Sequence, residues 1–411
     1  MVVAALVLAA CSTGTQATPA SSDSVAVTTT TAHPDDGALV IGAILPTSGI
    51  AADLGASMKL ALEMGVQEIN SSGGVNGRPV RLVTGEEGDN SATAGLAVQS
   101  LAPRVDAIIG PTSSINTLGT LGAAVDAGVL TCSPTASALA LDEFPDDGLF
   151  FRTIASDSLQ AAAIASLVEA SGSSAAVIVY LDDGYGRPFA TAAQRAMAAN
   201  GTRVSAAVAF TATEDGISAA VDQVLAAQPE VVAIIADGAS GPDIITAIDA
   251  AGPSSITYVV NDAIRRPVAS AQPFGPQLAS RVIGVSPLAD AGAQQFDEAL
   301  TALNADANHH FAHNAYDCLA VIALAAQSAG SSQPRDIASS VSAVTTSGTR
   351  CSAFVTCSTA LLDGRNINYN GPSGNLTIDA DGNVTTAIFE RFTFDDTGRD
   401  VPDGSLTIGS D

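Results

Sequence analysis

Short apolar runs alternate with helical patterns along the chain from residue 38 onward. The runs rich in β-branched residues predict strands, and they read ALVIGAILP, RPVRLVTG, VDAIIGP, GVLTCSP, AAVIVYL, RVSAAVAF, EVVAIIAD, ITYVV and RVIGVSP. Between them, apolar residues recur at helical spacing in segments such as GASMKLALEMGVQEIN, DSLQAAAIASLVEA and GRPFATAAQRAMAAN. This alternation is typical of α/β proteins, in which helices cover both faces of parallel sheets. Because roughly ten strands are too many for one comfortable open sheet, we expect two sheets.

The alternation is interrupted once and changes character near the end. A break at residues 149–158 (LFFRTIASDS) divides it into two comparable halves. After the helical segment HNAYDCLAVIALAAQSAG, the chain continues through CSAFVTC and DGRNINYNGPSGNL to the alternating run VTTAIFERFTF. We expect turns and a terminal hairpin that joins an existing sheet, rather than a third domain.

Length and charge narrow the possible functions. The 411 residues, 47% of them hydrophobic, are enough for two compact cores. The 16 basic and 42 acidic residues leave a formal charge of −26, which repels phosphate backbones and disfavours nucleic-acid binding. Lys59 is the only lysine and lies in an apolar helical pattern, where it reads as a solvated side chain rather than a catalytic one.

The N-terminus indicates export. VVAALVLAAC has the length of a signal-peptide core, is too short to span a bilayer, and ends in small residues before Cys11. It resembles a bacterial lipoprotein signal, because Leu8, Ala9 and Ala10 match the lipobox and Cys11 occupies the acylated position. The basic segment that normally precedes such a core is missing, and a plain secretory signal stays the alternative. We predict a signal peptide over 1–10 and a Ser/Thr-rich tether over 11–37.

The remaining cysteines divide into a close pair and a distant pair. Cys351 and Cys357 can close a small loop, and in an oxidising compartment we expect a disulfide between them. Cys132 and Cys318 both fall in apolar patterns and read as buried thiols, with metal chelation as an alternative.

Hydroxyl-rich loops follow two successive predicted strands. AIIGPTSS places Ser113 and Ser114 at a strand end and a helix start, where unpaired amides and the helix dipole favour an anion such as a carboxylate. An ordinary helix cap is the alternative reading. The next strand ends on SPTAS, which includes Ser137. In the second half, Tyr185 and Asp262 also follow strands, and an acid facing the hydroxyls would suit a ligand with both an ammonium group and a carboxylate.

The sequence contains little evidence for an active site or a metal site. His309 and His313 have the i, i+4 spacing of helical metal ligands, but no HExxH pattern or nearby third ligand accompanies them, and a solvated helix start is the simpler reading. The sequence contains neither a G-x-S-x-G elbow nor a G-x-G-x-x-G fingerprint. The pair Asp182 and Asp183 reads as a turn. We therefore expect no enzyme, cofactor or metal site.

A series of motifs between residues 38 and 396 resembles one family. They read GAILPTSGIAADLG, EINSSGGVNGRPVRL, AIIGPTSS, SPTASALAL, FFRTIASDSLQ, DDGYGRPF and HNAYDCLAVIALA, and their joint order is more specific than any of them alone. The chain resembles the type I periplasmic binding proteins, in particular the substrate-binding component of branched-chain amino-acid ABC transporters.

The resemblance implies a ligand site and a topology. It places the carboxylate-binding serine at Ser114 with Ser113 beside it, and the other contacts at Thr135, Ala136, Ser137, Tyr185 and the ammonium-binding Asp262. Leu54 stands where some members carry an aromatic wall residue, which leaves the side-chain preference open. Two Rossmann-like lobes would comprise 38–155 plus 286–385 and 156–285 plus 386–411, joined by a three-segment hinge.

The implied function is extracytoplasmic capture of a small amphoteric ligand for an ABC permease. The expected ligand is an amino acid such as leucine, isoleucine or valine. The protein would be held at the outer face of the cytoplasmic membrane only through lipidated Cys11. A sensory lipoprotein that uses the same cleft to signal to a receptor is the alternative.

Overall fold

A computed structural model describes residues 1–2, 36–49, 51–265, 274–288, 293–305 and 309–409. Within these ranges the strands are β1 (Val40–Leu45), β2 (Arg81–Glu86), β3 (Ala107–Ile109), β4 (Leu130–Ser133), β5 (Phe150–Arg152), β6 (Ala175–Leu181), β7 (Arg203–Phe210), β8 (Val231–Ile235), β9 (Thr257–Val260), β10 (Val282–Pro287), β11 (Thr349–Cys351), β12 (Ile367–Tyr369), β13 (Thr386–Phe394) and β14 (Asp400–Gly409). The helices are α1 (Ala52–Ser71), α2 (Ser91–Leu101), α3 (Ser114–Asp126), α4 (Asp157–Ala170), α5 (Gly186–Ala199), α6 (Glu214–Ala226), α7 (Ser240–Ala251), α8 (Pro276–Ala279), α9 (Gln294–Leu303), α10 (Ala312–Ala329), α11 (Pro334–Thr346) and α12 (Phe354–Leu362).

The first sheet is parallel throughout and has the order β2-β1-β3-β4-β5. Its central strands are buried on both faces, as expected for a parallel sheet covered by helices. One face packs against α1, α10 and α11, and the opposite face packs against α2 and α3. We call this sheet and its helices the first lobe.

The second sheet has the order β14-β13-β10-β9-β8-β6-β7. The five strands from β10 to β7 run parallel, whereas β13 and β14 form an antiparallel hairpin on β10. Helices α4 and α5 cover one face, and α6 and α7 cover the other. We call this sheet and its helices the second lobe. The predicted α/β class, the two large sheets and the terminal hairpin are confirmed. The turns expected at CSAFVTC and DGRNINYNGPSGNL are wrong in part, because these segments contain the start of α12 and the strand β12, which pairs with β11 in a separate two-stranded sheet.

The chain crosses between the sheets after β5, after β10 and before β13. The first and third crossings lie side by side, since Ala155 and Val384 form a parallel bridge. The second runs beside β13, where the Leu288 amide donates to the Ile388 carbonyl at 2.9 Å. Strand β5 lies inside the segment that we predicted only as a break, because three residues are too few to show a strand period. The lobe limits at residues 155, 285 and 385 stay a prediction.

Both cysteine pairs form disulfides. Cys351 is bonded to Cys357, as expected. Cys132 is bonded to Cys318, 186 residues away, so the expectation of buried free thiols is wrong. In the chain-entropy description the long loop gives roughly 5 kcal/mol of stabilisation and the short one about 2 kcal/mol. The long-range bond therefore contributes more to folding.

The predictions for the N-terminus fall outside the described residues. They concern most of the signal peptide 1–10, the acylated Cys11, and the tether up to residue 35. Among the residues that the structure describes, no helix is both long enough and apolar enough to cross a membrane.

Candidate functional site

The two hydroxyl-rich segments of the first lobe form one connected structure. We call residues 110–114 and 134–138, which follow β3 and β4, the hydroxyl loops. The buried Ser133 hydroxyl donates to the Pro111 carbonyl at 2.7 Å and accepts from the Ala136 amide at 3.1 Å. The Thr135 hydroxyl donates to the Thr112 carbonyl at 2.7 Å. The loops are therefore held together by bonds between their own polar groups.

Glycine is required where the first loop begins. Gly110 has a φ of 97°, and a Cβ there would lie 2.0 Å from the Ile44 carbonyl oxygen. No other residue accepts this combination of positive φ and close backbone approach. The tight turn brings the following hydroxyls over the carboxyl end of the sheet.

Ser113 and Ser114 have different roles at the start of α3. Ser113 is the N-cap residue, and its hydroxyl accepts from the Asn116 amide at 3.5 Å. The helix-cap reading is therefore confirmed for Ser113. The Ser114 hydroxyl accepts from the Ala138 amide at 3.2 Å, so it joins the second loop while its own proton remains available to a ligand.

A buried glutamate already occupies part of the expected anion receptor. The Glu87 carboxylate is 1% exposed and accepts from the Thr112 amide at 2.8 Å, the Ser113 amide at 2.9 Å and the Thr112 hydroxyl at 2.6 Å. The Asn116 side-chain amide adds a fourth donor at 3.0 Å. The anion site expected at this strand end is therefore partly filled by the protein's own carboxylate. The amides of Ser114 and Ile115, which have no intrahelical acceptor at a helix start, remain as donors.

Tyr185 and Asp262 follow strands of the second lobe, as predicted. Tyr185 lies between β6 and α5, is partly buried, and packs edge-on against Phe189 with ring centroids 5.7 Å apart. The Asp183 carboxylate accepts from the Tyr185 amide at 2.9 Å, which confirms the predicted turn. Asp262 follows β9 and accepts from the Gln160 side-chain amide at 2.9 Å.

Asp157 connects the two lobes at the first crossing. It is the first residue of α4, and its amide donates to the Ser137 carbonyl at 2.9 Å. Its side chain is 1% exposed, and neither carboxylate oxygen has a hydrogen-bond partner. Burial raises the pKa of this carboxyl to about 8, and the negative charge of Asp262 adds to the rise, while the nearby Ser137 hydroxyl and the Arg152 charge oppose it.

These interactions bring the predicted residues of the two halves together. Burial raises the pKa of Tyr185 well above its ordinary value, and the charges of Asp157 and Asp262 raise it further. The Ser137 hydroxyl lowers the pKa of Asp157, and the Asp262 charge raises it. We call Asp157, Asp262 and Tyr185 the acid cluster. The second hydroxyl loop and the acid cluster therefore approach each other at the first crossing, where the Asp157 amide donates to the Ser137 carbonyl.

Comparison with known proteins identifies this architecture. The model of the family described as periplasmic binding protein matches residues 38–385 of the chain. The chain belongs to the periplasmic binding protein family. The predicted resemblance is thereby confirmed, and so is the type I fold.

Three relatives of this periplasmic binding protein are informative. A substrate-binding protein of a chemotactic signal transduction system from Halobacterium salinarum is 30% identical over 356 residues, which cover 83% of this chain and 84% of that protein. A leucine-binding protein from Thermotoga maritima has a TM-score of 0.70 at 19% identity and covers 90% of this chain and 99% of its own. A branched-chain amino acid transporter substrate-binding protein from Streptococcus pneumoniae, in complex with isoleucine, has a TM-score of 0.70 at 20% identity and covers 91% and 100%.

Other predicted residues of this periplasmic binding protein serve its own structure. Thr135 uses its hydroxyl within the hydroxyl loops, and the Ala136 side chain is fully buried. Leu54 lies in the first turn of α1 and packs against the core of the first lobe. The roles of these residues toward a ligand stay a prediction.

Sequence reasoning missed Glu87, Asp157 and Arg152. Arg152 is fully buried beneath the second hydroxyl loop, and its donors contact the Ala136 and Ala138 carbonyls, Asn383 and Asp142. Those contacts engage all five N–H groups of the guanidinium. A signal existed for Glu87, which directly follows β2 at the same sheet edge as the hydroxyl loops.

The histidine pair is arranged differently from the prediction. His309 Nδ1 and His313 Nε2 each lie 2.9 Å from the same Asp297 oxygen. His313 is buried, so the expected solvated helix start is wrong for that residue. Burial lowers the pKa of His313, and Asp297 partly offsets the effect. Within the described ranges, no three His, Cys, Asp or Glu side chains are grouped to hold a metal ion.

Proposed function

We propose that this periplasmic binding protein captures a small ligand carrying both an ammonium group and a carboxylate, and delivers it to an ABC permease. An aliphatic amino acid such as leucine, isoleucine or valine fits this description. The observation that carries the proposal is the meeting of the hydroxyl loops with the acid cluster. The relatives that are named for leucine and solved with isoleucine support it, because they share the fold over almost the whole chain.

The acid cluster receives the ammonium group. Asp157 has two buried oxygens without hydrogen-bond partners, and an ionised carboxylate in that state is costly unless a cation pairs with it. Asp262 provides a second carboxylate nearby. Every N–H of Arg152 is already engaged, so that residue does not neutralise Asp157 through direct hydrogen bonds. A ligand ammonium group supplies the missing charge.

The hydroxyl loops receive the carboxylate. Four groups of the first lobe donate hydrogen bonds to the ligand carboxylate. They are the Ser114 hydroxyl, the amides of Ser114 and Ile115, and the Ser137 hydroxyl. The Glu87 charge lies beneath the same loop, so a second ligand carboxylate would be repelled there. Acidic amino acids are therefore disfavoured.

Calorimetry with a panel of amino acids, on the wild type and on Asp262→Ala, tests the proposal. We expect micromolar or tighter binding of an aliphatic amino acid to the wild type. The variant should lose at least about a hundredfold in affinity, because removing one partner of a buried charge pair costs about 3 kcal/mol. Asp222→Ala, which alters an exposed residue of α6, serves as the matched control. Unchanged affinity in Asp262→Ala would show that Asp262 does not hold the ammonium group.

A sensory role is the second candidate, and one observation favours it. The Halobacterium relative, at 30% identity, belongs to a chemotactic signal transduction system. Deleting the gene and measuring both amino-acid uptake and chemotaxis toward the bound ligand separates the two functions. Loss of uptake supports delivery to a permease, whereas loss of chemotaxis with normal uptake supports signalling.

The protein acts outside the cytoplasm, anchored through Cys11. The N-terminal apolar run and the small residues before this cysteine support the assignment. Cys11→Ser removes the acylated thiol, so we expect the protein to move from the membrane fraction to the medium or the soluble extracytoplasmic fraction. Immunoblots of the fractions measure this shift. Retention of the variant on the membrane at the wild-type level would exclude the lipid anchor.

A further inference from the structure

The Cys132–Cys318 disulfide begins at the base of the hydroxyl loops. Cys132 lies in β4, and its carbonyl accepts from the Gly110 amide at 2.8 Å, directly before the first loop. The next residue, Ser133, joins Pro111 to Ala136 through its hydroxyl. Cys132 is therefore directly adjacent to Ser133, whose hydroxyl links the two hydroxyl loops.

The other end of the disulfide lies beside the first crossing between the sheets. Cys318 is fully buried in α10, and its sulfur is 3.5 Å from the Thr153 hydroxyl oxygen. The same hydroxyl donates to the Asn314 carbonyl at 2.8 Å, and the Asn314 side chain donates to the Thr153 carbonyl at 2.7 Å. Helix α10 therefore holds the crossing segment four residues before Asp157.

We propose that the Cys132–Cys318 disulfide is a positioning element of the ligand site. It holds the hydroxyl loops and the crossing segment that leads to Asp157 in the arrangement that receives the ligand. This inference rests on the proposed function. A site that is already ordered loses less conformational entropy when the ligand binds, so breaking the bond should lower affinity as well as stability.

The second disulfide provides a matched control. Cys351 lies in β11, which pairs with β12 in a small two-stranded sheet, and Cys357 lies six residues later in α12. No hydrogen bond described for these residues leads to the hydroxyl loops. Removing this bond should lower stability and leave the site unchanged.

The experiment compares two double variants, Cys132→Ala/Cys318→Ala and Cys351→Ala/Cys357→Ala, with L-leucine as the probe. Calorimetry and stopped-flow fluorescence are performed well below the Tm of either variant. The first variant should bind about tenfold more weakly, mainly through faster dissociation. The affinity of the control variant should stay within about twofold of the wild-type affinity, since its substituted cysteines lie away from the hydroxyl loops. Equal affinity of the first variant and the wild type, with only Tm lowered, would overturn the inference.

Amide hydrogen exchange tests the same inference without a ligand. Amides in segments 110–117 and 133–138 should exchange faster in the first variant than in the control. If the wild type fails to bind every amino acid of the panel, the proposed function fails, and exchange still decides whether the disulfide positions the loops. Cys132→Ala/Cys318→Val, which restores buried volume, replaces the first variant if the alanine pair does not fold.

Discussion

Asp157→Asn is expected to abolish tight ligand binding while making the empty protein more stable. Asn keeps the size of the side chain and removes the charge that pairs with the ligand ammonium group. A loss of about 3 kcal/mol, or more than a hundredfold in affinity, follows from breaking a buried charge pair. Calorimetry at pH 8 measures the loss, with Asp222→Asn on the exposed face of α6 as the control.

The stability change has the opposite sign and depends on pH. Burial raises the pKa of Asp157 from 3.8 to about 8. The stability contributed by the neutral carboxyl is therefore complete below about pH 4 and is lost as the pH rises through 8. Asn carries no charge at either pH, so the variant keeps this stability as the pH rises. It should therefore have a higher Tm than the wild type at pH 8 and nearly the same Tm at pH 4. A variant that binds as tightly as the wild type would contradict the assignment.

The affinity of the wild type should rise with pH for the same reason. In the empty site Asp157 holds a proton below pH 8, and the ligand ammonium group favours the ionised carboxylate. Binding then releases a proton, and affinity increases by up to about tenfold per pH unit until it levels near the pKa. Asp157→Asn should flatten this profile.

Glu87→Ala is expected to be the most destabilising substitution near the site. It leaves four donors without their acceptor, namely the Thr112 amide and hydroxyl, the Ser113 amide and the Asn116 side chain. Unsatisfied buried polar groups cost about 1 to 3 kcal/mol each, and water entering the vacated space recovers part of this. We expect a loss of about 4 kcal/mol in the free energy of unfolding, measured by urea titration.

The control for this prediction is Glu63→Ala. Glu63 is exposed and forms an ion pair with Lys59 on the surface of α1, so its loss should change stability by less than about 1 kcal/mol. Glu87→Ala should also weaken ligand binding, because Ser114 follows the loop that Glu87 holds. A stable Glu87→Ala variant with normal affinity would show that the four hydrogen bonds do not support the site.

Several parts of the site could be predicted because their signals are local. Ser113 caps a helix whose apolar spacing is visible along the chain, and Tyr185 and Asp262 follow strands that alternate with helices. Strand β5 could not be found in the same way, because three buried residues give no period. Glu87 was missed because the residue that fills the loop comes from a different strand.

The α/β class, the two series of strands, the terminal hairpin and the short disulfide could all be predicted from the chain alone. Each follows from backbone periodicity or from residues close together in the chain. Three features became visible only in the folded structure: Cys132 is bonded to Cys318, Glu87 accepts from the amides of Thr112 and Ser113, and neither oxygen of the buried Asp157 carboxylate has a hydrogen-bond partner. These features depend on contacts between segments that are far apart in the chain. The spacing of residues along the chain does not predict such contacts.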